Sequence, residues 1–404
     1  MRTCDVAVLG AGPAGMGLAT ELAARGVRVG CIDSQPELVW ARQFASWYDD
    51  WAPAYRSCVR ARWAAPSVVT RRRHHVLDRC YALLDANDLH RTLHQRAQDS
   101  AVEFVVDRAR DIEHHDEGST VSLASGAQLN ARMVIDATGT GHFLDRPAHG
   151  PLAAQVTYGQ ILEVDRHPFR CGEMALMDFR AIDDGETIPT FLHALPLDFN
   201  RLLVEETSLI ATVPVPAALL KRRLEERITR LGITDARVVK TEKGHVSMTK
   251  GLPDLSQRTL GYGAAASMVH PATGNNAARS LARAPEVANA LVELLECAPA
   301  QACEAAWQAI WPRDDVRKWE LYNFGARFLY SLDQDRTERF FDAFFSLPPR
   351  DWGGFFSASL TSTQLAGVMS RVFARLDPAL RWDLMRLSTG AGGSANLLRA
   401  ALAM

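Results

Sequence analysis

The spacing of apolar and polar residues at the start of the chain predicts a strand, a helix and a second strand. The stretch CDVAVLGAGPAGMGLATELAARGVRVGCID begins as an apolar run and passes through a glycine-rich turn into a helical pattern. It then returns to an apolar strand that ends at Asp33. This order is typical of a βαβ unit, in which two parallel strands flank a helix.

Three longer regions have patterns of their own. Residues 155–210 alternate between apolar and polar side chains in strand fashion, and residues 215–232 have the spacing of an amphipathic helix. Residues 300–404 are predicted to be mostly helical, with phenylalanines concentrated in RFFDAFFSLPPRDWGGFFSASL. Because no run reaches the roughly 18 apolar residues that a membrane span needs, we predict no transmembrane helix.

The glycine turn of the first unit has the chemistry of a dinucleotide site. Gly10, Gly12 and Gly15 fit G-x-G-x-x-G, which allows a tight turn, close approach of the backbone to a pyrophosphate and close packing of the helix on the strand. The helix that begins there directs its N–H groups and its positive dipole end at the phosphates. Asp33 is placed to accept both hydroxyls of an adenosine ribose. The alternative is a tight βαβ turn that binds nothing.

Two later segments favour a flavin over a nicotinamide cofactor. Residues 131–141 are a buried strand followed by a glycine turn, and residues 257–282 are a strand with a glycine-rich loop that opens a helix. Large two-domain FAD proteins have three separated segments of this kind. A second nucleotide site is the competing interpretation, because Gly261, Gly263 and Ala266 fit G-x-G-x-x-A. The predicted FAD-binding residues are Gly10, Gly12, Ala14, Gly15, Asp33, Ser34, Thr138, Gly139, Gly263, Met268, Pro271 and Gly274.

These elements predict an α/β fold. It consists of a Rossmann-type FAD-binding domain of the two-dinucleotide-binding flavoprotein class, a mixed β-sheet substrate domain and a helical C-terminal region. The predicted divisions are the first part of the FAD-binding domain, the substrate-binding sheet and hairpin, the second part of the FAD-binding domain and the helical region, at residues 1–150, 151–235, 236–298 and 299–404.

Composition narrows the class of protein. The chain has 404 residues and a net charge of −2, which indicates an ordinary globular protein and argues against nucleic acid as a partner. The seven cysteines lack metal-like spacing, so we predict buried thiols in a reducing compartment and no metal site. We expect a cytoplasmic protein, with the inner face of the membrane as the alternative location. Residues 71–75, RRRHH, are interpreted as a solvated loop, with a docking patch for anionic lipid as the alternative.

Two adjacent glutamates stand in the middle of the predicted strand NRLLVEETSL. Because side chains alternate along a strand, Glu205 and Glu206 must face opposite sides, and only one can enter a cavity on a given side. Alternation does not identify which one. The residues alone also allow an exposed strand or an ion pair with Arg201.

The chain resembles the plant-type lycopene cyclases, flavoproteins that close rings at the ends of a linear carotenoid. The resemblance lies in several long segments in the same order: SQPELVWARQFASWYDDW, LDRCYALLDANDLHRTL, LEVDRHPFRCGEMALMDFR, FLHALPLDFNRLLVEETSL, GAAASMVHPATG and RFFDAFFSLPPRDWGGFFSASL. Three positions depart from the family pattern. Where the family has Phe-Leu-Glu-Glu-Thr, this chain has Leu203–Thr207, LVEET. Where the family has Tyr-Met, it has Asn275-Asn276, and where the family has Asn-Tyr-Gly-Val-Trp, it has Gln43–Trp47, QFASW.

The resemblance implies a redox-neutral, FAD-dependent cyclase of a linear isoprenoid or polyene. Glu205 would be the catalytic proton donor and Glu206 a second acid of the site with an orienting or structural role. Burial would raise the pKa of the donor so that it stays neutral near neutral pH. The family also implies that reduced FAD is the active form. We predict NAD(P)H as the reductant, a reductase as a candidate partner and an apolar isoprenoid as substrate. The rival functions are a flavin monooxygenase or polyprenyl reductase, and a lipid carrier.

Other residues have two interpretations each. Asp178 either pairs with Arg180 or lines the site, and the pairing is favoured. His270 either touches the flavin or caps its loop. For the tryptophans Trp40, Trp47 and Trp51, core packing is favoured over an apolar channel, and the phenylalanine-rich stretch is expected to form core and tunnel wall rather than a membrane-facing patch.

Overall fold

The computed structural model describes residues 2–147, 151–357 and 359–402. Its strands, numbered in chain order, are β1 (Arg2–Leu9), β2 (Val29–Asp33), β3 (Phe44–Trp47), β4 (Val59–Trp63), β5 (Ala65–Val69), β6 (His74–Val76), β7 (Tyr81–Leu84), β8 (Glu103–Val106), β9 (Ala109–His115), β10 (Gly118–Leu123), β11 (Gln128–Asp136), β12 (Ala154–Val164), β13 (Glu173–Asp178), β14 (Thr190–Pro196), β15 (Arg201–Ser208), β16 (Ala236–Ser247) and β17 (Leu260–Gly261).

The helices occupy the surfaces of these sheets and most of the C-terminal region. They are α1 (Pro13–Ala23), α2 (Ala86–Asp99), α3 (Ala217–Arg230), α4 (Ala277–Leu294), α5 (Pro299–Ile310), α6 (Arg313–Leu329), α7 (Gln334–Phe345), α8 (Pro349–Ser357), α9 (Ser362–Arg375), α10 (Pro378–Thr389) and α11 (Ala391–Leu402). The helical character predicted for residues 300–404 is confirmed over the described part of that region.

The first sheet has the order β8-β2-β1-β11-β10-β9, with β17 beside β11. Strands β8, β2, β1, β11 and β17 run parallel, whereas β9 and β10 form an antiparallel extension. Helices α1 and α4 pack on one face of this sheet, so β1 and β2 are buried and read as continuous apolar runs. The βαβ unit predicted from the first residues is confirmed.

The second sheet is mixed and has the order β16-β12-β15-β14-β13-β5-β6. Its central strands are antiparallel neighbours, and β13 pairs with β5 in parallel. Helix α3 covers one face with a core that includes Leu220 and Leu224, which confirms the amphipathic helix predicted at residues 215–232. The opposite face is called the site face below, because it carries Glu205.

A small antiparallel sheet, β3-β7-β4, and the phenylalanine-rich helices α7 and α8 pack against the site face. The phenylalanines of those helices join one core cluster with Trp47, Trp63 and Trp352. Trp51 is buried in the other large core cluster, against which Trp40 packs, so the preference for core packing of the tryptophans is met. This arrangement encloses the site face between two layers of aromatic side chains.

Two segments pair with a different sheet from the one that the sequence-based division assigned them to. Residues 236–247 were placed in the FAD-binding domain, but β16 pairs along its length with β12 of the second sheet. Strands β5 and β6 were placed in the first part of that domain and also belong to the second sheet. The sequence missed β16 because it is an edge strand whose first half is exposed on both faces, so it has no apolar alternation. The predicted boundary at residue 150 lies outside the described residues.

The cysteines form no disulfide among the described residues, as predicted. Their predicted burial is wrong for Cys171 and Cys297, which are exposed. Within the described ranges, no helix has the length and apolar character needed to cross a membrane.

Candidate active site

The carboxyl ends of the parallel strands in the first sheet bring the predicted nucleotide-binding segments to one edge. Gly10 follows β1 with φ of 104°, a backbone conformation that favours glycine. A Cβ at Gly10 would lie 2.9 Å from the carbonyl oxygen of Ala137, and one at Gly15 would overlap the carbonyl oxygen of Gly10. The first turn of α1 is therefore packed tightly against the ends of β1 and β11.

Gly12 differs from the other two glycines of the turn. A Cβ at this position would meet no described atom within 4 Å, so the surface in front of α1 is open there. Helix α1 begins at Pro13 without a side-chain cap, which leaves its first N–H groups, including that of Ala14, available to a ligand. An open glycine beside an uncapped helix N-terminus fits a pyrophosphate.

Asp33 ends β2 at the same edge. Its Oδ2 accepts a hydrogen bond from the Ala11 amide at 2.8 Å, and its Oδ1 accepts one from the Gln35 amide at 2.8 Å. Each carboxylate oxygen can accept a further hydrogen bond, so this arrangement fits a ribose as well as the loop. The neighbouring Ser34 is exposed.

The loop after β11 is organised by Asp136, a fully buried acid that the sequence prediction did not include. Its Oδ1 accepts hydrogen bonds from the amide of Thr138 at 2.9 Å and from the Thr138 hydroxyl at 2.7 Å. Gly139 follows with φ of 80°, and a Cβ there would meet no described atom within 4 Å. Thr138 and Gly139 thus lie at the same edge of the first sheet as the glycine turn that precedes α1.

The third predicted segment lies at the same edge of the first sheet as the other two. Strand β17 pairs in parallel with β11, so Gly261 and Gly263 lie at the edge already formed by β1 and β11. A Cβ at Gly263 would lie 2.5 Å from the Cβ of Ala14, and the sulfur of buried Met268 accepts the Gly263 amide at 3.2 Å. The competing interpretation of Gly261, Gly263 and Ala266 as a separate nucleotide domain is not supported by this topology.

The loop that ends at Gly274 connects the nucleotide edge with the site face. A Cβ at Gly274 would lie 3.4 Å from Val246 and 3.5 Å from Gln155, two side chains of the second sheet. His270 caps this loop, since its Nδ1 accepts the Ala272 amide at 3.1 Å, and Pro271 between them is buried. Burial lowers the pKa of His270 to about 3, so the ring is neutral and its Nε2–H donates to the carbonyl of Phe355.

Strand β15 separates its two glutamates as the alternation predicts. Leu203 and Glu205 lie on the site face, and Leu203 joins the aromatic core there. Leu202, Val204 and Glu206 lie on the face covered by α3. The structure therefore answers the question that alternation left open: Glu205 is the acid on the side of the nucleotide loop.

Glu205 is half-buried and has no hydrogen-bond or ion-pair partner among the described residues. Burial, and to a lesser extent the negative charge of Glu242, raises the pKa of Glu205 from 4.5 to about 7. A carboxyl group with this pKa holds its proton over much of the neutral range. A carboxyl group with a raised pKa and no cation beside it is a candidate general acid.

The walls near Glu205 are aromatic. His193 lies directly opposite Glu205 on β14, and the ring of Tyr81 is 6.0 Å from the ring of His193. Tyr81 also makes an edge contact with Trp47 at 5.3 Å. Burial lowers the pKa of His193 to about 4, so this ring is neutral, and its Nδ1–H donates to the carbonyl of Leu176 at 2.8 Å. Burial likewise holds the pKa of Tyr81 above its ordinary value.

Glu206 has the opposite surroundings. It is fully buried, its Oε2 accepts a hydrogen bond from Arg227 Nε at 3.1 Å, and its Oε1 accepts one from the Thr190 hydroxyl at 2.5 Å. The cation that pairs with Glu206 is Arg227 of α3. The sequence alone had allowed an ion pair with Arg201, and Glu206 does not use that residue. This places Glu206 in an ion pair between β15 and α3, away from the site face, so the geometry gives it no access to a ligand on that face.

Two other predicted candidates, Asp178 and the RRRHH segment, have structural partners. Asp178 accepts hydrogen bonds from Arg180, with Nε to Oδ1 at 3.0 Å, as favoured. The RRRHH segment is not simply solvated, because Arg71 Nε pairs with Glu338 at 3.1 Å and His75 Nε2 with Asp342 at 3.2 Å. The last two residues of this segment, His74 and His75, lie in strand β6, and α7 anchors Arg71 and His75 of the predicted loop.

Two positions that depart from the family pattern contact each other. The amide of Asn275 donates to the hydroxyl of Ser46 at 2.9 Å, and this bond links the nucleotide loop to β3. Sequence reasoning noted both changes and did not predict that they form a pair. It also missed Gly159, His193 and Glu242, which surround Glu205, because their approach depends on strand register.

Solved structures of flavoproteins have the same fold. A geranylgeranyl bacteriochlorophyll reductase-like protein from Thermoplasma acidophilum superposes with a TM-score of 0.69 at 18% identity and covers 96% of this chain and 100% of its own. A flavoprotein/dehydrogenase from Cytophaga hutchinsonii has a TM-score of 0.64 at 14% identity, over 100% of this chain and 99% of its own. These likenesses confirm the predicted α/β flavoprotein fold and concern the fold alone.

Sequence relatives identify the family. Lycopene beta cyclase, chloroplastic, from an Oncidium hybrid cultivar is 35% identical over 96% of this chain and 84% of the relative. The protein of the same name from Arabidopsis thaliana is 34% identical over 96% and 81%, and capsanthin/capsorubin synthase, chromoplastic, from Capsicum annuum is 32% identical over 95% and 80%. The family model described as lycopene cyclase protein matches residues 5–379. This chain belongs to the lycopene cyclase family.

Proposed function

We propose that this protein is an FAD-dependent cyclase that protonates and closes the end of a linear isoprenoid or polyene. The observation that carries the proposal is Glu205, an acid without a partner among the described residues, with a pKa raised to about 7, on the face reached by the nucleotide loop. Family membership supports the same reaction class, since its relatives are named lycopene beta cyclases and capsanthin/capsorubin synthases.

Protonation of an alkene requires a neutral carboxylic acid held at one carbon. Glu205 meets the first requirement through burial and the second through its place on a rigid central strand, between β12 and β14. Its proton forms a bond to one alkene carbon and leaves a cation on the neighbouring carbon. Attack by the next double bond closes the ring, and loss of a proton to a base restores neutrality, so the product is an isomer of the substrate.

The aromatic walls protect the cation. Tyr81 lies near Glu205 and packs against Trp47, and aromatic faces attract a positive charge when water is excluded. His193 stays neutral because its pKa is lowered to about 4, so it adds no competing positive charge. The enclosed site also keeps water from capturing the cation.

The nucleotide edge has the features that an FAD needs. Gly12 and the start of α1 would hold the pyrophosphate, Asp33 the ribose, and the loop through Pro271 and Gly274 the isoalloxazine end. When bound there, reduced flavin would supply negative charge that stabilises the cation, without a net redox change. NAD(P)H as reductant and a reductase partner belong to the same proposal.

The substrate class follows from the apolar walls and the family. A linear carotenoid end, as in lycopene, or a related isoprenoid chain fits the aromatic enclosure around Glu205. The Ser46–Asn275 hydrogen bond places two polar groups where the family pattern has Val and Tyr, which favours a related chain whose end differs in shape or polarity. An apolar chain dissolves in lipid, so peripheral contact with a membrane is part of the proposal, and a cytoplasmic location stays a prediction.

An anaerobic turnover assay tests the reaction class. Protein reduced with dithionite and supplied with lycopene in detergent should form a cyclic product of unchanged mass without consuming stoichiometric reductant. In deuterated water the product should gain one deuterium per ring, at the carbon protonated first. A requirement for oxygen, or a product that has gained an oxygen atom or two hydrogens, would replace the cyclase with the monooxygenase or the reductase.

A release assay tests the cofactor. Denatured protein should release non-covalent FAD in about one equivalent, and Asp33→Ala should retain less of it, because the ribose contact and the support of the loop at Ala11 are both lost. Release of NAD instead of FAD contradicts the proposed cofactor, and unchanged FAD in Asp33→Ala moves the ribose contact elsewhere.

A further inference from the structure

A row of residues crosses the second sheet at the level of Glu205. His193 on β14 pairs with Glu205, Glu205 pairs with Gly159 on β12, and Gly159 pairs with Glu242 on β16. Residues that lie opposite each other in antiparallel strands project from the same face. Glu242 is therefore a second acid on the site face, separated from Glu205 by a single glycine.

Gly159 leaves a gap between these two acids. A Cβ at this position would lie 2.8 Å from Cγ and 3.1 Å from Oε1 of Glu205. The side chain of Glu205 thus lies across the backbone of β12, on the side toward β16. Gly159 does not have a positive φ, so the position favours glycine because of the space above it and not because of its backbone conformation.

Glu242 has two polar partners of its own. Its Oε1 lies 2.6 Å from Nζ of Lys240 and accepts a hydrogen bond from Nε2 of Gln43 at 3.0 Å. Its side chain is 14% exposed, whereas that of Lys240 is 49% exposed and faces water. Glu205 has neither kind of partner among the described residues. Of the two carboxyl groups, Glu242 is therefore the one with a cation and a hydrogen-bond donor beside it.

The other groups around Glu205 do not offset the charge of Glu242. Tyr81 and His193 are neutral, because burial raises the pKa of Tyr81 and lowers that of His193. Asp50 lies beyond Tyr81 and is also acidic, with a pKa that burial raises. The two cations of the group are already engaged, Lys240 by Glu242 at 2.6 Å and Arg79 by Asp50 at 2.7 Å. The charge that acts on Glu205 is that of Glu242.

We propose that Glu242 is a positioning residue that keeps the proton on Glu205, by presenting a fixed negative charge across the gap left by Gly159. A negative charge near a carboxyl group disfavours the ionised form of that group, so Glu242 raises the pKa of Glu205. This inference rests on the proposed function only in taking the proton of Glu205 to be the one transferred to the substrate. The coupling between the two acids is a property of the sheet and is measurable without turnover.

Infrared spectroscopy of the FAD-loaded protein tests the coupling directly. The carbonyl stretch of a protonated carboxyl group, assigned to Glu205 by its loss in Glu205→Gln, is followed as the pH is raised. In Glu242→Gln the midpoint of this band should fall by about one pH unit, because a repelling charge is removed. In Lys240→Met the midpoint should rise, because Glu242 loses its cation and repels more strongly.

A matched control is available on β12. Glu163 is an ion-paired acid of the same sheet, joined to Arg237, and it is further along the strand from Glu205. Glu163→Gln should leave the midpoint unchanged. The proposal is overturned if Glu242→Gln moves the midpoint no more than Glu163→Gln does, or if Lys240→Met lowers it. Because the two test variants shift the midpoint in opposite directions, a folding defect in one of them does not imitate the expected result.

The pH profile of kcat separates this inference from the proposed function. If the protein is the proposed cyclase, the alkaline limb of kcat should move with the infrared midpoint in both variants. A midpoint that moves as expected in a protein without cyclase activity would support the coupled acids and contradict the function. Cyclase activity together with an unchanged infrared midpoint would support the proposed function and contradict the coupling of the two acids.

Discussion

Glu205 and Glu206 are adjacent residues of the same type, yet the two faces of β15 give them opposite roles. Glu206 is fully buried against α3 and is engaged by Arg227 and Thr190. Glu205 lies among aromatic side chains with no partner among the described residues, and its pKa is raised to about 7. Burial is common to both side chains, so burial alone does not decide the chemistry of a carboxyl group. The presence or absence of a buried cation does.

The two faces also differ in what lies behind each acid. The α3 face is a connected ion network in which Arg223 Nε contacts Asp184 at 2.8 Å and its Nη1 donates to Thr190 at 2.9 Å. The site face has an aromatic wall, and the charge that acts on Glu205 there is that of Glu242, which has the same sign. The α3 face stabilises the fold through ion pairs, whereas the site face favours a protonated carboxyl group. Substitutions on the two faces should therefore have different effects.

The largest expected effect is that of Glu205→Gln. Glutamine has the shape of glutamic acid and no acidic proton, so cyclisation should fall by roughly two or more orders of magnitude. FAD release should stay close to that of the wild type and the thermal midpoint should not fall, because Glu205 contacts neither the nucleotide edge nor a buried cation. Retained activity in this variant together with loss in Glu206→Gln would reverse the assignment of the two faces.

Arg227→Met should have the largest effect on stability. It leaves Glu206 buried without its cation and weakens the support of Asp178, whose Oδ1 is 3.9 Å from Arg227. The free energy of unfolding should fall by about 3–5 kcal/mol, measured by chemical denaturation. The double variant Glu206→Leu with Arg227→Met should recover part of this loss, because no unpaired charge remains. A double variant as unstable as the sum of the two single variants would contradict a dominant ion pair.

The pH dependence should report Glu205. Its neutral form is the acid, so kcat should be lost as pH rises through about 7, by about tenfold per unit once the group is ionised. The raised pKa also means that the folded state holds a proton that the unfolded state releases between 4.5 and about 7. The contribution of Glu205 to stability is therefore present below 4.5 and is lost as pH rises through about 7. Glu205→Gln should remove this slope, as measured by denaturation at several pH values.

Glu206→Gln should have the smallest effect. The glutamine oxygen can still accept from Thr190, but its amide nitrogen faces Arg227 and removes one acceptor. The free energy of unfolding should fall by about 1–3 kcal/mol, with kcat within a few-fold of the wild type. A loss of activity without a loss of stability would show that the α3 face takes part in the chemistry.

Much of the nucleotide-binding half could be predicted because its signals are local. The glycines of the first turn, the acid at the end of β2 and the glycine turn after β11 each lie within one strand-turn-helix segment. Their chemistry follows from the backbone positions that such segments require. The same signal, an acid at the end of a buried strand, would also have indicated Asp136. The alternation of β15 likewise predicted that its two glutamates separate.

The sequence by itself determined the α/β class, the nucleotide edge and the opposite orientation of Glu205 and Glu206, because each depends on residues close together in the chain. Only the tertiary structure decided which glutamate meets a cation, because Arg227 comes from a helix that packs on one face of the sheet. Strand register alone brought Gly159 and Glu242 beside Glu205, since β12 and β16 are distant in sequence and β16 lacks the apolar alternation that reveals a buried strand. The acidity of Glu205 is a property of that assembled environment: two carboxyl groups, a glycine gap and an aromatic wall that no single segment contains.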